Sequence, residues 1–254
     1  MPAFARPRHM HDELERLRHT WDTLGADDPL WAILSDPDKR GGRWDDASFF
    51  AAGESEIAAI VQRCDALQRP AKRELALDFG CGVGRLSRAL ASRYARVIGV
   101  DISPRMLARA RELHVHVENV RFVENATSRL AFVADASVDF VYSVITLHHM
   151  PAALQLDYIG EFLRVLAPGG VAVFQFAAGY SQDWRGLAYR LLPNRLLAPL
   201  RRRVHDSRVA AELHVLDQGQ VDARIAASGK HVLLGYDVPS AGAGFRGRLL
   251  FVGD

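Results

Sequence analysis

The sequence predicts an α/β fold built on a doubly wound, mostly parallel sheet. Two observations predict it: short runs of apolar residues recur between residues 75 and 176, and helical patterns separate them. Strands that alternate with helices are typical of βαβ units, whose parallel strands are covered on both faces. With 254 residues, the chain is long enough for one such domain with additions.

The first predicted strand and the turn after it form the most informative pattern. Leu75–Phe79 is apolar apart from Asp78, and glycine then occupies every second position from 80 to 84. Glycine adopts positive φ freely and lets a ligand lie against the main chain. A strand, a glycine-rich turn and a helix form the floor of nucleoside-cofactor sites. A dinucleotide fingerprint would require its last glycine at position 85, which is Arg85 here.

A second strand is predicted at Arg96–Asp101, and it also ends in a carboxylate. Asp101 follows Gly80 by about the 20 residues at which an acidic side chain accepts ribose hydroxyls in such units. Ser103 is a suitable N-cap and Pro104 suits the first position of the next helix. Both strand-end acids therefore lie where one bound nucleoside would need them.

Further strands and helices follow in the same alternation. The third strand is predicted at 120–123 and the fourth at 138–144, which is nearly continuous in apolar residues. A helical pattern over 159–166 precedes the fifth strand at 171–176. The chain then closes with a helix at 220–228 and strands at 230–238 and 245–252.

These elements resemble, in order, the motifs of the class I S-adenosylmethionine-dependent methyltransferases. The matches are D-x-G-x-G-x-G at 78–84, Val-Asp-Ile-Ser-Pro-Arg-Met-Leu at 100–107, Leu-His-His at 147–149 and Leu-Ala-Pro-Gly-Gly-Val at 166–171. The resemblance implies a Rossmann-like sheet of seven strands, mostly parallel with an antiparallel last strand. It also implies S-adenosylmethionine as cofactor and S-adenosylhomocysteine as product. The implied reaction is in-line methyl transfer to a small-molecule acceptor, whose accepting atom can be oxygen, nitrogen or carbon.

The resemblance further implies which side chains contact the cofactor. Asp78 suits the cationic methionine end, Asp101 binds the ribose and Met106 packs near adenine. Asn125 stands where relatives often carry Asp, and its amide oxygen can still accept a bond from the adenine amino group. The expected cofactor-binding residues are Asp78, Phe79, Gly80, Cys81, Gly82, Gly84, Asp101, Ile102, Met106, Asn125, Ala126 and Ser143.

His149 and His148 are the candidate catalytic bases. They follow the carboxyl end of the fourth strand, where ligands bind in open α/β sheets, and a histidine can deprotonate a hydroxyl or amine near neutral pH. A structural role, or packing against the cofactor, is an equal alternative. No Cys or acid lies at ligand spacing, so a metal site is not expected. Weaker candidates are Tyr180, Asp183, His205 and His214.

The chain is predicted to have four parts. Residues 1–72 form an N-terminal helical extension that acts as a lid, with Met1–Met10 expected to be frayed, and residues 73–177 form the cofactor-binding core. Residues 178–216 form a basic helical insertion on the substrate side, and residues 217–254 complete the sheet.

The N-terminal extension holds most of the chain's tryptophans. A helix is expected from Gly53 to Cys64. Trp21 and Trp31 are expected to fill a core, whereas Trp44 and Phe49, near a Gly-Gly loop, suit a core and a pocket equally.

The insertion is rich in arginine and leucine, in helices predicted to be interrupted at Pro193 and Pro199. Three interpretations stay open: a solvated basic face, recognition of an anionic acceptor by arginine forks, and peripheral docking on an anionic membrane. Its arginines are Arg185, Arg190, Arg195, Arg201, Arg202, Arg203 and Arg208.

Composition narrows the function classes. The net charge of +2 gives no indication of nucleic-acid binding, and two cysteines, Cys64 and Cys81, suggest a reducing compartment. No signal-peptide core or membrane-spanning run is present, so a cytoplasmic location is expected. The oligomeric state stays open. The alternatives are a non-catalytic binding or scaffold protein of the same fold and, disfavoured by Arg85, a nucleotide-dependent oxidoreductase.

Overall fold

A computed structural model describes residues 7–192, 196–197, 211–239 and 244–254. The helices are α1 (Pro7–Asp27), α2 (Pro29–Ile33), α3 (Asp46–Ala66), α4 (Arg85–Ala91), α5 (Pro104–Leu113), α6 (Ala152–Val165), α7 (Trp184–Leu191) and α8 (Gln218–Ala227). The strands are β1 (Leu75–Phe79), β2 (Arg96–Asp101), β3 (Val120–Glu124), β4 (Val138–Ser143), β5 (Leu166–Tyr180), β6 (His231–Val238) and β7 (Phe245–Gly253). Short 3₁₀ helices lie at Pro37–Lys39 and Leu147–His149.

The strands form one sheet in the order β3-β2-β1-β4-β5-β7-β6. Strands β1 to β5 are parallel, and β7 runs antiparallel to both β5 and β6. The predicted fold class, a seven-stranded mostly parallel sheet with an antiparallel last strand, is confirmed. The strand order reverses between β1 and β4, and the carboxyl ends at such a switch point form the ligand crevice of open α/β sheets.

Helices cover both faces of the sheet, as β4 shows. All six of its residues are buried. Phe140 and Tyr142 pack in the cluster that contains residues of α3 and α4, whereas Val141 points to the other face, toward α6 and α8. This alternation follows from the period of two along a strand.

Helix α3 begins seven residues before its predicted start. The side chain of Asp45 caps it by accepting a hydrogen bond from the Ser48 amide at 2.8 Å. Gly53, which had marked the predicted start, lies inside the helix. A Cβ there would fall 2.8 Å from the Arg85 carbonyl oxygen, so the glycine permits close packing against α4.

Parts of the N-terminal extension and of the insertion, namely residues 1–6, 193–195 and 198–210, fall outside the described residues. Helix α1 starts at Pro7, so the stretch expected to be frayed is helical from that residue on, since proline suits the first helical position. In the insertion, α7 is described. Several predicted features of the insertion lie outside the described residues; they are Pro193, Arg195, Pro199, Leu200, Arg201, Arg202, Arg203, His205 and Arg208. Within the described part, no helix has the length and apolar composition needed to cross a bilayer.

Candidate functional site

A cavity lies at the carboxyl ends of β1, β2 and β4, beneath α1 and α2. Its empty volume is about 920 Å³, which includes open solvent at its mouth. Eight of the predicted cofactor-binding residues line it: Phe79, Gly80, Cys81, Gly82, Asp101, Ile102, Met106 and Asn125. The sequence motifs and the switch-point cavity therefore coincide.

The other four predicted residues are close in the chain but do not line the cavity. Gly84 precedes α4 as its N-cap, with φ +83°, and its carbonyl accepts a bond from His114 Nε2 at 3.0 Å. Ser143 is fully buried, and its Oγ has no hydrogen-bond partner among the described residues. Ala126 is half-buried beside Asn125. Asp78 is buried next to Phe79 and does not line the cavity.

The glycine turn is held tightly against its surroundings. The amides of Gly80 and Cys81 both donate to the Val100 carbonyl, at 2.8 and 3.0 Å. Gly80 has φ +78°, and a Cβ there would lie 2.2 Å from the Thr146 hydroxyl. A side chain at this position would therefore collide with the loop that follows β4.

Asp101 joins the turn to α5. Its Oδ2 accepts from the Gly82 amide at 2.8 Å and its Oδ1 from the Ser103 amide at 2.9 Å. Burial raises the pKa of this carboxyl, and the backbone amides that donate to it act in the opposite direction. The two bonds fix the carboxylate at the cavity wall.

Asp78 is 2% exposed and accepts a hydrogen bond from the Ser87 hydroxyl at 2.6 Å. Burial raises its pKa to about 7, although the Ser87 bond and the positive charge of Arg85 both favour the ionised form. The carboxyl can therefore change its charge near neutral pH.

Arg85 is a site residue that the sequence reasoning missed, because it was considered only as a replaced glycine. The side chain is 3% exposed and lines the cavity. Its Nη1 lies 2.9 Å from Glu56 Oε2, and the Tyr142 hydroxyl donates to Glu56 Oε1 at 3.0 Å. Its Nε has no hydrogen-bond partner in the described part of the chain. A buried guanidinium with an unused donor suits an acceptor group in the cavity.

Asn125 is held by a small polar network. Its amide nitrogen donates to the Thr127 carbonyl at 3.0 Å and to the Tyr158 hydroxyl at 3.2 Å. Its amide oxygen accepts from the Thr127 hydroxyl at 3.0 Å. Tyr158, on α6, also lines the cavity. No pattern in the sequence singles out Tyr158, because a tyrosine in an amphipathic helix is an ordinary packing residue.

The N-terminal helices supply the roof of the cavity. Leu14, Leu17 and Trp21 of α1 and Ala32 and Ile33 of α2 all line it. The expected core role of Trp21 therefore needs correction, because its ring forms part of the cavity wall. No periodicity argument could identify which face of α1 meets the cavity.

The other aromatic residues of the extension lie in its core. Trp31 is buried, and its indole N–H donates to the Asp36 carbonyl at 2.9 Å. Trp44 and Phe49 pack edge to face with centroids 5.7 Å apart, and neither lines the cavity. For Trp44 and Phe49, the sequence left a core role and a pocket role equally open, and the structure supports the core role.

His148 and His149 lie beside the cavity. His148 is 2% exposed, and burial together with the neighbouring His149 holds its pKa well below the usual value. His149 donates from Nδ1 to the Glu212 carbonyl at 3.0 Å, because a carbonyl oxygen can only accept. Its ring meets Trp21 edge to face at 4.9 Å. Trp21 thus contacts His149 and also lines the cavity.

The weaker candidates occupy structural positions. Asp183 caps α7 through the Gly186 amide at 2.8 Å, Tyr180 packs against Phe245, and His214 lies 3.3 Å from a carboxylate oxygen of Glu212. Over the described ranges, no three His, Cys, Asp or Glu side chains come together as a metal site.

Part of the chain is similar to known methyltransferases. Residues 76–170 match a family model described as a methyltransferase domain. The chain is 41% identical over 98 residues to 2-methyl-6-phytyl-1,4-hydroquinone methyltransferase of Synechocystis, covering 38% of this chain and 30% of that protein. It is 31% identical over 169 residues to trans-aconitate 2-methyltransferase of Azoarcus, covering 62% and 63%. The matches span less than two thirds of these curated relatives.

Solved structures show the same fold. Magnesium protoporphyrin IX methyltransferase of Synechocystis with bound S-adenosylhomocysteine superposes with a TM-score of 0.62 at 18% identity, covering 94% of this chain and 99% of that one. A methyltransferase of Leishmania major gives a TM-score of 0.63 at 14% identity, covering 97% and 85%. At these identities the likeness concerns the fold.

Proposed function

We propose that this chain, which contains a class I S-adenosylmethionine-dependent methyltransferase domain, transfers the methyl group of S-adenosylmethionine to a small-molecule acceptor. The family resemblance of the sequence is confirmed by the match over residues 76–170. The observation that carries the proposal is the coincidence of motif and cavity: the glycine turn, Asp101 and Asn125 all line one cavity at the switch point of the sheet.

The residues present fit the cofactor. Asp101 would hold the ribose hydroxyls, Asn125 the adenine amino group, and Met106 would pack against the base. The unused Nε of Arg85 suits the carboxylate of the methionine end. Asp78, which does not line the cavity, would act on the ammonium group through its charge. Because Gly80 and Gly82 have no Cβ, the turn presents bare main chain to the cavity.

S-adenosylmethionine supplies a methyl group on a sulfonium that is already a good leaving group. The protein therefore contributes mainly orientation, which for well-aligned reactants lowers the barrier by up to ~7–11 kcal/mol. The roof formed by Leu14, Leu17, Trp21 and Ile33 would exclude water from the cavity.

A base is needed only if the accepting atom carries a proton. His149 is the proposed base because its Nδ1 donates to the Glu212 carbonyl, which leaves Nε2 as the unprotonated nitrogen of the neutral ring. Neither ring lines the cavity, and His148 is the weaker candidate because it is the more deeply buried of the two. For His149 to remove a proton from an acceptor in the cavity, the wall beside it, which includes Trp21, has to give access.

The nature of the acceptor is part of the proposal. The relatives act on acceptors that their names describe as a hydroquinone and trans-aconitate, so both phenolic and carboxylate acceptors are represented. The apolar roof favours an acceptor with an apolar portion. An anionic acceptor gains less support, because Arg185 and Arg190 do not line the cavity. We also propose a cytoplasmic location: Cys64 and Cys81 are buried and not joined in a disulfide, as in a reducing compartment.

Ligand-dependent melting tests the cofactor. S-adenosylmethionine and S-adenosylhomocysteine should raise the melting temperature, since a ligand that binds only the native state stabilises it by mass action, whereas NAD should not. A shift with NAD and none with the methyl cofactors would overturn the proposal in favour of an oxidoreductase.

Transfer of a labelled methyl group to a panel of small acceptors, covering phenols, amines and carboxylic acids, tests the reaction itself. Binding of both methyl cofactors without transfer to any acceptor would favour the non-catalytic alternative.

A further inference from the structure

Helix α7 presents an apolar stripe to solvent. Trp184, Leu187 and Leu191 are 73%, 55% and 69% exposed, and their spacing of three and four residues puts them on one helix face. Leu192, which directly follows Leu191, and Leu196, four residues farther along the chain, are also exposed. These five residues, called here the α7 patch, hold most of the exposed large apolar side chains of the described residues.

The opposite face of α7 is fixed to the fold, so the stripe cannot turn inward. The ring of Tyr189 packs on Phe245 with centroids 4.7 Å apart. Gly186 is buried, and a Cβ there would fall 1.9 Å from the Ser181 carbonyl oxygen. The Asp183 side chain caps the helix through the Gly186 amide. The apolar stripe therefore stays outward, as in a helix whose partner lies outside the chain.

Positive charge flanks the stripe on both sides. With about 100° of rotation per residue, Arg185 and Arg190 fall on opposite edges of the stripe, and both are exposed. The Arg185 guanidinium lies 5.3 Å from the Trp184 ring centroid. Residues 178–216 contain seven arginines and three acidic residues, an excess of four positive charges where the whole chain has an excess of two.

The last part of the insertion connects the α7 patch to the histidine pair. Leu213 lines a shallow hollow together with Tyr189, Leu191 and Leu192. The residues on either side of Leu213 reach the histidine pair: the Glu212 carbonyl accepts from His149, and the His214 amide donates to the His148 carbonyl at 2.7 Å. A surface that covers the α7 patch would therefore lie on the side of the fold that holds the histidine pair.

We propose that the α7 patch docks the protein on an anionic lipid surface. The apolar stripe enters the boundary between headgroups and acyl chains, and the arginines on its edges meet lipid phosphates. An outward stripe of Trp and Leu flanked by Arg is the composition of an interfacial amphipathic helix. A second copy of the chain is a poorer occupant, because Arg185 and Arg190 of each copy would repel those of the other.

Vesicle flotation of the full chain tests this directly. The protein should float with vesicles of equal parts phosphatidylcholine and phosphatidylglycerol and should not float with phosphatidylcholine alone. Trp184 supplies an independent signal, because its fluorescence should shift to the blue on binding, and Trp184→Phe should abolish most of that shift. Added salt should weaken binding.

Matched pairs of substitutions separate the apolar contribution to vesicle binding from the electrostatic one. Leu187→Ser with Leu191→Ser should weaken partitioning roughly tenfold or more. The control pair Val115→Ser with Phe132→Ser, which changes two exposed apolar residues elsewhere, should leave it unchanged.

Arg185→Gln with Arg190→Gln should weaken partitioning about 25-fold, at about fivefold for each cation near an anionic surface. Arg96→Gln with Arg121→Gln, on exposed residues of β2 and β3, is the matched control. Far-ultraviolet circular dichroism verifies that each variant is folded.

Three outcomes would overturn the proposal. One is no flotation of the folded protein with either vesicle. Another is equal flotation of the α7 variants and their controls. The last is a dimer in sedimentation velocity that the Leu187→Ser, Leu191→Ser pair dissolves, with no vesicle binding, which would assign the α7 patch to contact between copies.

Discussion

Ile33 of α2 lies directly over Gly82 of the glycine turn: a Cβ placed on Gly82 would fall 2.5 Å from Ile33 Cδ1. The roof of the cavity thus touches the edge of its floor, and the missing side chain is what allows the contact. A cofactor held along the turn would lie beneath α2, so we expect α2 to move when the cofactor enters.

Gly82→Ala should therefore destabilise the protein by more than the backbone cost of its φ of +53°. Gly229→Ala is the matched control, because Gly229 has φ +74° with nothing within 4 Å of a Cβ. Each should lose ~1–2 kcal/mol from left-handed backbone, and Gly82→Ala should lose more and bind S-adenosylhomocysteine more weakly. Adding Ile33→Ala should recover part of that extra loss in urea unfolding. Equal losses at the two glycines would mean that the roof does not press on the turn.

Asp22 should hold the roof in place. This residue of α1 accepts from the Ser103 hydroxyl at 3.1 Å and the Arg105 amide at 3.0 Å, so it caps the start of α5 from another helix. Asp22→Ala should lower the free energy of unfolding by ~0.5–2 kcal/mol, the usual cost of a lost cap, and should speed proteolytic cleavage within α1. Asp12→Ala, on an exposed residue of the same helix, should have neither effect. Similar behaviour of the two variants would mean that Asp22 does not hold α1 against α5.

Asp101→Ala should weaken binding of S-adenosylhomocysteine by about 1.5–3 kcal/mol, because it removes a charge-assisted bond to the ribose. The same change frees the Gly82 and Ser103 amides, so some loss of stability should accompany it. Titration calorimetry on the folded variant measures the affinity. Wild-type affinity would place the nucleoside elsewhere.

Local signals explain why so much of the floor could be predicted. Phe79, the glycine turn and Asp101 belong to two strands and the turns that follow them, and their spacing alone brings them together at one sheet edge. Arg85 and Tyr158 escaped prediction because each is ordinary in its own helix. They reach the cavity only through the packing of α4 and α6 on the sheet.

The roof could be predicted as a lid but not in its details. Trp21 lines the cavity because α1 rests on α5 through Asp22, a contact between residues about 80 positions apart. The start of α3 was misplaced for a different reason. Gly53 reads locally as a helix boundary, whereas its lack of a side chain serves the packing of Arg85.

Asp78 should make stability depend on pH near neutrality. Its ordinary pKa is 3.8, and burial raises it to about 7 in the folded protein, so between these values the folded state binds more protons than the unfolded chain. The stabilising contribution is thus complete below about pH 4 and is lost as the pH rises through 7.

Asp78→Asn removes this dependence. The variant should gain stability relative to the parent between pH 5 and pH 8, on the order of 1–4 kcal/mol, while binding S-adenosylmethionine more weakly. Urea unfolding at the two pH values measures the difference, with Asp12→Asn as control. Parallel pH profiles for parent and Asp78→Asn would show that this carboxyl does not titrate near neutrality.

His149 should act on the acceptor rather than on the cofactor. If it removes a proton from a hydroxyl or amine, His149→Ala should lower kcat by roughly 10²–10⁴ and leave the affinity for S-adenosylmethionine nearly unchanged. The parent rate should fall in acid, as the imidazole takes up a proton, and that limb of the pH profile should vanish in the variant.

His148→Gln is the comparison. Because His148 is buried, with Nδ1 unpartnered among the described residues, this substitution should lower stability more than turnover. If His149 instead packs on the cofactor side through Trp21, His149→Ala should weaken cofactor binding and keep a near-normal rate at saturation. Turnover within a few-fold of the parent would remove His149 from the mechanism, and transfer would then proceed by orientation alone.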